Sequence, residues 1–321
     1  MKKIFVIIYA YRDLELSKTI DDLFKNANSP EDVVVGCINA DDEEYHYKGK
    51  YEVRVKNTGF KKRHGCGLGV WEITQELYQD EEWILRAAPH SRFKKGWDSY
   101  YRKYAGKNIV LCQRCLEYMP DGTLGDDKKL YSKPTELSDK LVYKLEKVEY
   151  NYTKPFEVLF MQAGGMFCHK SWLDKVGYDP NIAMWGEETD LSARSYMSGF
   201  RMYHIPEAQV YHLWHRRNRK GLDHSIRFNE ANQRGIDMVK GKLGISAFEV
   251  NDYYVDCTKY KDIVLLDHDM VEKKTKIDIK LKKPKHLAIK LTKKADEVVE
   301  CECGSKVFYN KGICRFCGRI L

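Results

Sequence analysis

Two thiol pairs near the end of the chain, Cys301-Glu302-Cys303-Gly304 and Cys314-Arg315-Phe316-Cys317-Gly318, are separated by ten residues, and each is followed by glycine. Four thiolates so spaced suit tetrahedral structural Zn²⁺, with the glycine turns letting backbone amides face the sulfurs. So short a segment buries too little to fold unaided, and metal binding would supply its folding free energy. This predicts a zinc-ribbon-like module over 296–321; free thiols are the alternative, and the first pair is unusual in having one intervening residue. Cys112-Gln113-Arg114-Cys115 lacks a partner pair, so two unrelated thiols read as well there as a metal site.

Upstream of the thiols, residues 273–294 hold ten lysines against one acid. Ile277, Ile279 and Leu281, then Leu287, Ile289 and Leu291, fall at every second position among lysines on either side of Lys283-Pro284, which predicts a two-stranded ribbon within a 246–295 linker. Lys280, Lys282, Lys283, Lys285 and Lys290 would give it a cationic face that neutralises phosphates, for salt-dependent and sequence-indifferent nucleic-acid binding. A solvated hairpin kept soluble by its lysines is the alternative. Residues 273–321 carry 14 Lys and Arg against 5 Asp and Glu, so the net charge of +8 belongs to the tail and the preceding part is close to neutral.

A third chemistry-bearing group is acidic. Glu187, Glu188 and Asp190 follow Trp185-Gly186 at the start of a helix predicted over Glu187–Ser198, where carboxylates also favour the positive end of the helix dipole.

The elements that must hold these groups follow from hydrophobic pattern. Ile4–Tyr9 and Val33–Ile38 are continuous apolar runs, as in a parallel sheet covered on both faces, and Ser17–Ala27 between them has Ile20, Leu23 and Phe24 at helical spacing. Strand, helix, strand opens a nucleotide-binding α/β unit. A helix over Gly69–Tyr78, strands over Trp83–Ala88 and Asn108–Cys112, an apolar return over Val158–Cys168 and a helix over Ser225–Leu243 complete a predicted domain spanning 1–245. Residues 120–155, charged and poorly periodic, read as an insertion or long loops. Ligands of open α/β sheets gather at the carboxyl ends of strands, here after Tyr9 and Ala87. The opening Met1-Lys2-Lys3 and apolar run mimic a signal peptide, but the run ends at Arg12-Asp13 without a cleavage pattern, and no later run is long enough to span a bilayer. Ten cysteines without a secretory pattern read as reduced thiols or metal ligands, which predicts a cytoplasmic protein with no membrane partner.

Five ordered segments now carry a likeness: YAYRDLELSKTIDDLFKNA, KKRHGCGLGVWEITQELY, WILRAAPHSRFKKGWD, FMQAGGMFCHKSWLDKVGYDPNIAMWGEETDLSARSYMSGF and VYHLWHR. Together they resemble cytoplasmic N-acetylglucosaminyltransferase-like enzymes, whose eukaryotic members modify hydroxyproline on protein and which have bacterial and viral relatives. The resemblance implies a GT-A glycosyltransferase domain of α/β class, a UDP-sugar donor and retention at the sugar carbon. It also implies a metal motif, Asp-x-His plus a later His, whose positions here are residue 88, His90 and His212. Mn²⁺ or Mg²⁺ there would neutralise the leaving diphosphate. Position 88 is Ala, whose methyl group cannot coordinate a metal, so the chain reads as altered in metal chemistry or as impaired relative to a parent with aspartate there. Trp97-Asp98 and the other segments stay intact.

By the same resemblance, Trp185 would line the sugar pocket, while Glu187, Glu188 and Asp190 would orient the acceptor hydroxyl and stabilise an oxocarbenium-like transition state. Tyr9, Ala10, Tyr11, Arg12 and Asp13 would meet the nucleotide, Arg63 the diphosphate, and Gly164 and Gly165 would permit close backbone approach. Surface ion pairs, caps and plain turns are the structural alternatives for these positions. His204, His215 and His224 read as ordinary histidines. For the acceptor, the lysine-rich tail favours hydroxymethylated bases of bacteriophage DNA, with a protein or glycan hydroxyl as the alternative; a non-catalytic, zinc-stabilised nucleic-acid-binding protein on a transferase fold is the competing class.

Overall fold

Strand β1 (Ile4–Tyr11) is buried along all eight residues, which fits an apolar run placed at the centre of a sheet covered on both sides. Side chains alternate across it: Ile4, Val6, Ile8 and Ala10 enter one core layer, and Phe5, Ile7, Tyr9 and Tyr11 the other. The computed structural model describes residues 3–59, 65–125, 129–137, 143–214, 226–243, 298–300 and 306–308. The chain divides into two compact units, Met1–Leu266 and Asp267–Leu321, so the boundary expected at 245 falls outside the described residues.

In the first unit, β1 is followed by α1 (Leu16–Asn26), β2 (Val33–Ala40), β3 (Glu52–Thr58), α2 (Cys66–Glu76), β4 (Trp83–Ala87), β5 (Ser91–Phe93), α3 (Trp97–Tyr104), β6 (Ile109–Cys112) and β7 (Leu116–Glu117). Then come β8 (Leu130–Leu137), β9 (Tyr143–Glu149), β10 (Phe156–Val158), β11 (Phe167–His169), α4 (Ser171–Lys175), α5 (Glu187–Met197), β12 (Arg201–His204), β13 (Val210–His212) and α6 (Ile226–Lys242). The main sheet has the order β10-β12-β6-β11-β4-β1-β2-β3. Its β4-β1-β2-β3 portion is parallel, and β11 runs antiparallel between β4 and β6.

The helices bury what their periodicity presents. From α1, Leu16, Ile20, Leu23 and Phe24 join Trp97 and Tyr101 of α3 on one side of the sheet, while Val70 and Ile73 of α2 and Leu191 of α5 pack on the other. A smaller three-stranded sheet, β5-β13-β7, stands beside the main one.

Two stretches differ from the sequence reading. Within 120–155, β8 and β9 form an antiparallel pair with an irregularity between Pro134 and Glu136, and Tyr131 of β8 is buried against Phe156 and His204. Strand β3, an edge carrying Glu52, Arg54 and Lys56, is stabilised by ion pairs from Arg54 to Glu81 at 2.7 Å and from Lys56 to Glu76 at 2.6 Å. Charged residues suit an edge strand that must not pair further.

In the second unit, β14 (Val298–Glu300) pairs antiparallel with β15 (Lys306–Phe308). Cys301, Cys303, Cys314 and Cys317, and the lysines of the predicted ribbon, lie outside the described residues. Among the described residues no helix is long and apolar enough to cross a membrane.

Candidate active site

A cavity of about 550 Å³ opens where β1 and β4 end, lined by residues far apart in sequence. Tyr9 and Tyr11 reach it because alternate residues of β1 share a face. Ala10 therefore points the other way into the core and does not line the cavity. Ala88, Pro89 and His90 enter from the loop after β4, Gly164 from the stretch before β11, Trp185, Glu187 and Glu188 from the start of α5, and His212 and Trp214 from the end of β13.

The small sheet brings the two histidines together across 122 positions. Its register pairs His212 with Ser91, the Leu213 N–H donates to the His90 carbonyl at 3.1 Å, and the imidazoles meet Nε2 to Nε2 at 2.9 Å. His90 Nδ1 donates to Asp13 Oδ2 at 2.8 Å, since an ionised carboxylate only accepts, and this turns Nε2 toward His212. The loop is held from below by buried Thr19: its hydroxyl lies 2.8 Å from the Pro89 carbonyl and accepts the Ser91 N–H at 3.0 Å.

The acidic end of α5 is fixed as tightly. Glu188 Oε1 accepts the Ala163 N–H at 2.9 Å, and Ser192 Oγ ties the Glu188 carbonyl to the Met161 N–H. Burial pushes the Glu188 carboxyl up to about 7; the Ala163 N–H opposes this, the neighbouring Glu187 adds to it, and Arg86 opposes it. The Trp185 N–H is held by Asn232 of α6 at 2.8 Å. Gly65, at φ 96°, caps α2 against Ala183, whose carbonyl a Cβ there would meet at 2.3 Å. This packs the Gly65-Cys66-Gly67 turn directly against the backbone before Trp185.

The sequence profile of the glycosyltransferase (GlcNAc) family matches residues 3–49 and 37–240. The chain belongs to this glycosyltransferase family. Among solved structures, its fold is similar to a crystal structure of GalNAc-T7 with UDP, GalNAc and Mn²⁺, at TM-score 0.55 and 13% identity over 86% of this chain. The match spans 58% of the GalNAc-T7 chain. A crystal structure of S. aureus TarS 1-349 in complex with UDP-GlcNAc is similar at TM-score 0.50 and 14% identity, over 87% of this chain and 77% of that one. These likenesses are of fold, and the α/β architecture is the GT-A one. No curated protein matches the sequence.

Not every residue singled out in the glycosyltransferase sequence reaches the cavity. Asp190 is buried behind it, with Oδ1 2.7 Å from Lys242 Nζ and Oδ2 2.8 Å from Arg194 Nε; the first contact joins α5 to α6 and the second lies within α5. Arg12, at φ 46°, and Asp13 do not line it, although Asp13 acts on it through His90. Gly165 packs behind it, its N–H donating to the Arg86 carbonyl at 2.8 Å. Arg63 lies outside the described residues.

The metal expectation meets a donor set that does not fit. Ala88 offers no ligand atom, Asp13 sits on the far side of His90, and among the described residues no group of three or more His, Cys, Asp or Glu is arranged to hold a metal ion. Two imidazoles without a carboxylate do not make a site for a hard cation.

Arg86, Cys66, Phe160 and Trp214 line the cavity without having been singled out. Arg86 had a signal in the sequence, a lone charge inside the apolar run Trp83–Ala87. Burial, then the Glu187 charge, pushes the Cys66 thiol up to about 12. Cys112 and Cys115 are both buried free thiols, and Cys115 Sγ donates to the Gly164 carbonyl at 3.1 Å.

Proposed function

We propose that this glycosyltransferase moves a sugar from a UDP-sugar to a hydroxyl acceptor in the cavity bounded by Tyr9, Tyr11, Trp185, Glu187 and Glu188. One observation carries the reading: aromatic rings, imidazoles and two carboxylates converge on a single cavity at the carboxyl edge of a GT-A sheet, where α/β folds bind their ligands. The UDP named in the GalNAc-T7 structure and the UDP-GlcNAc named in the TarS structure support a uridine nucleotide as donor.

In this scheme the acceptor oxygen bonds to the anomeric carbon as the bond from that carbon to the diphosphate breaks. The bonding electrons leave with the diphosphate, and the acceptor proton passes to Glu188. A carboxyl poised near neutrality suits that exchange, while the charge of Glu187 favours the positive character of the sugar carbon in the transition state. Tyr9 and Tyr11 present flat rings for the nucleotide, and the exposed indole of Trp185 borders the acceptor side. With Ala88 in place of an aspartate, the chain is an impaired form of a metal-assisted parent, and no step here is assigned to a metal.

Ten lysines against one acid across 273–294 favour a second specification, in which the hydroxyl belongs to a hydroxymethylated base of DNA held by its phosphates. A protein or glycan hydroxyl is the competing acceptor. Calorimetry with UDP and UDP-GlcNAc tests the donor, alongside transfer assays on hydroxymethylcytosine duplexes and on hydroxyl-bearing peptides and glycans. Binding of the uridine nucleotides supports the reading. Failure of both the natural chain and Ala88→Asp to bind any uridine nucleotide overturns it.

A further inference from the structure

Helix α6 runs against the segment that leads into α5. Asn232 Oδ1 accepts the Trp185 N–H at 2.8 Å, and a Cβ added to Gly235 would lie 3.2 Å from the Ile182 Cα. Ile236 and Val239 share a core cluster with Ile182, and Lys242 Nζ donates to Asp179 Oδ2 at 2.9 Å and to Asp190 Oδ1 at 2.7 Å. Rising numbers on the helix thus meet falling numbers from Trp185 to Asp179, at the spacings of three and four that share one helix face. Core packing and the buried Lys242 already join the helix to this segment. Asn232 is also buried, and its one hydrogen bond among the described residues goes to Trp185.

The target of that bond is a tight turn. The Glu187 N–H returns to the Met184 carbonyl at 3.4 Å, and Gly186 stands at φ 81° and ψ −7°, the values that the third residue of a type II turn adopts and that favour glycine. Such a turn makes no use of the N–H of its second residue, here Trp185, and Asn232 takes it. The Trp185 side chain lines the cavity mouth and is 41% exposed. Core packing therefore does not fix the direction of the indole, and the backbone that carries it must.

We infer that Asn232 is a positioning residue, which holds the Trp185 turn so that the indole stands at the cavity mouth for the acceptor. The inference rests on the reading above that Trp185 borders the acceptor side. Glu187 and Glu188 have anchors of their own in Arg86 and the Ala163 N–H, so loss of Asn232 reaches the acceptor and spares the donor.

The test compares the natural full chain with Asn232→Leu, which keeps the size and removes the accepting atom, and with Asn232→Asp, which keeps an oxygen there. In fluorotryptophan-labelled protein the fluorine resonance of Trp185, assigned from Trp185→Phe, should shift or broaden in Asn232→Leu and hold its place in Asn232→Asp. Transfer is followed from UDP-GlcNAc to whichever of the hydroxymethylcytosine duplex, hydroxyl peptide or glycan accepts sugar. Asn232→Leu should raise the acceptor KM roughly 2- to 10-fold, the worth of one hydrogen bond, with kcat and calorimetric UDP affinity within about twofold. Asn232→Asp should restore KM. An unmoved Trp185 resonance in Asn232→Leu overturns the inference, as does a lowered melting temperature with acceptor KM unchanged, or an Asn232→Asp variant that behaves as Asn232→Leu. If the natural chain binds no uridine nucleotide, the donor reading fails, and the Trp185 resonance still decides whether Asn232 positions the indole.

Discussion

His90 and His212 lie Nε2 to Nε2 at 2.9 Å, with Asp13 behind His90 at 2.8 Å. Asp13 fixes which nitrogen of His90 faces inward, the outer-shell role that carboxylates commonly play for imidazole ligands. The one element missing from a three-ligand set is a carboxylate beside them, where Ala88 lines the cavity.

Ala88→Asp is therefore expected to create a site for Mn²⁺ without rebuilding anything else. The gain in Mn²⁺ affinity should be at least the roughly 10- to 100-fold that an outer-shell partner is worth, and transfer or donor hydrolysis should become dependent on Mn²⁺. Titration of metal against activity checks this. No rise in metal affinity or rate would mean that the histidines serve some other purpose.

Glu188 predicts a pH profile. The groups around it are Glu187, the Ala163 N–H, Arg86 and the thiols of Cys112 and Cys115. With its carboxyl raised to about 7 by burial, a rate that needs its ionised form rises as pH passes through about 7. Stability moves the other way: the fold favours the protonated form, so this contribution is full below the ordinary carboxylate range and is lost as pH rises through 7. Glu188→Gln should abolish transfer and flatten the pH dependence of melting between pH 5 and 8. A profile in Glu188→Gln identical to that of the natural chain would assign the titration elsewhere.

The strands that carry the site were legible because Ile4–Tyr11, Val33–Ala40 and Trp83–Ala87 are apolar runs whose burial follows from composition alone. Local pattern also announced α5 and its acids. Which acid faces the cavity was not legible, since Asp190 is drawn inward by Lys242, 52 positions away. Arg86 left only the trace of a lone charge in an apolar run, and its partner Glu187, 101 positions distant, could not be read from it. The β8–β9 pair escaped because its register joins residues up to 19 positions apart, and the alternation of Tyr143 and Leu145 with Lys144 and Glu146 is too short to announce a strand by itself.

The zinc expected from Cys301, Cys303, Cys314 and Cys317 is checked by elemental analysis of the purified chain. One zinc per chain is the expected value, falling to none in Cys314→Ser/Cys317→Ser. Removing it should abolish order in the tail segment, because four thiolates and a short chain have no other source of folding free energy. A metal-free chain with four reactive thiols would return these residues to plain cysteines.

Thr19 offers the sharpest test of how the His90 loop is held. Its hydroxyl touches the carbonyls of Pro89 and Ser91 and accepts the Ser91 N–H, and it is completely buried. Thr19→Val keeps the shape and removes the polar atom, leaving a buried N–H unsatisfied at about 1–3 kcal/mol. Thr19→Ser keeps the hydroxyl and should retain the loop, losing only a methyl group's packing. Denaturant unfolding of both variants measures the first effect. The second is read in the Ala88→Asp background: Thr19→Val should weaken Mn²⁺ binding, because the loop that carries His90 loses its anchor, whereas Thr19→Ser should not. Equal metal affinity in the two variants, with Thr19→Val destabilised, would confine Thr19 to the core and free the histidine loop from it.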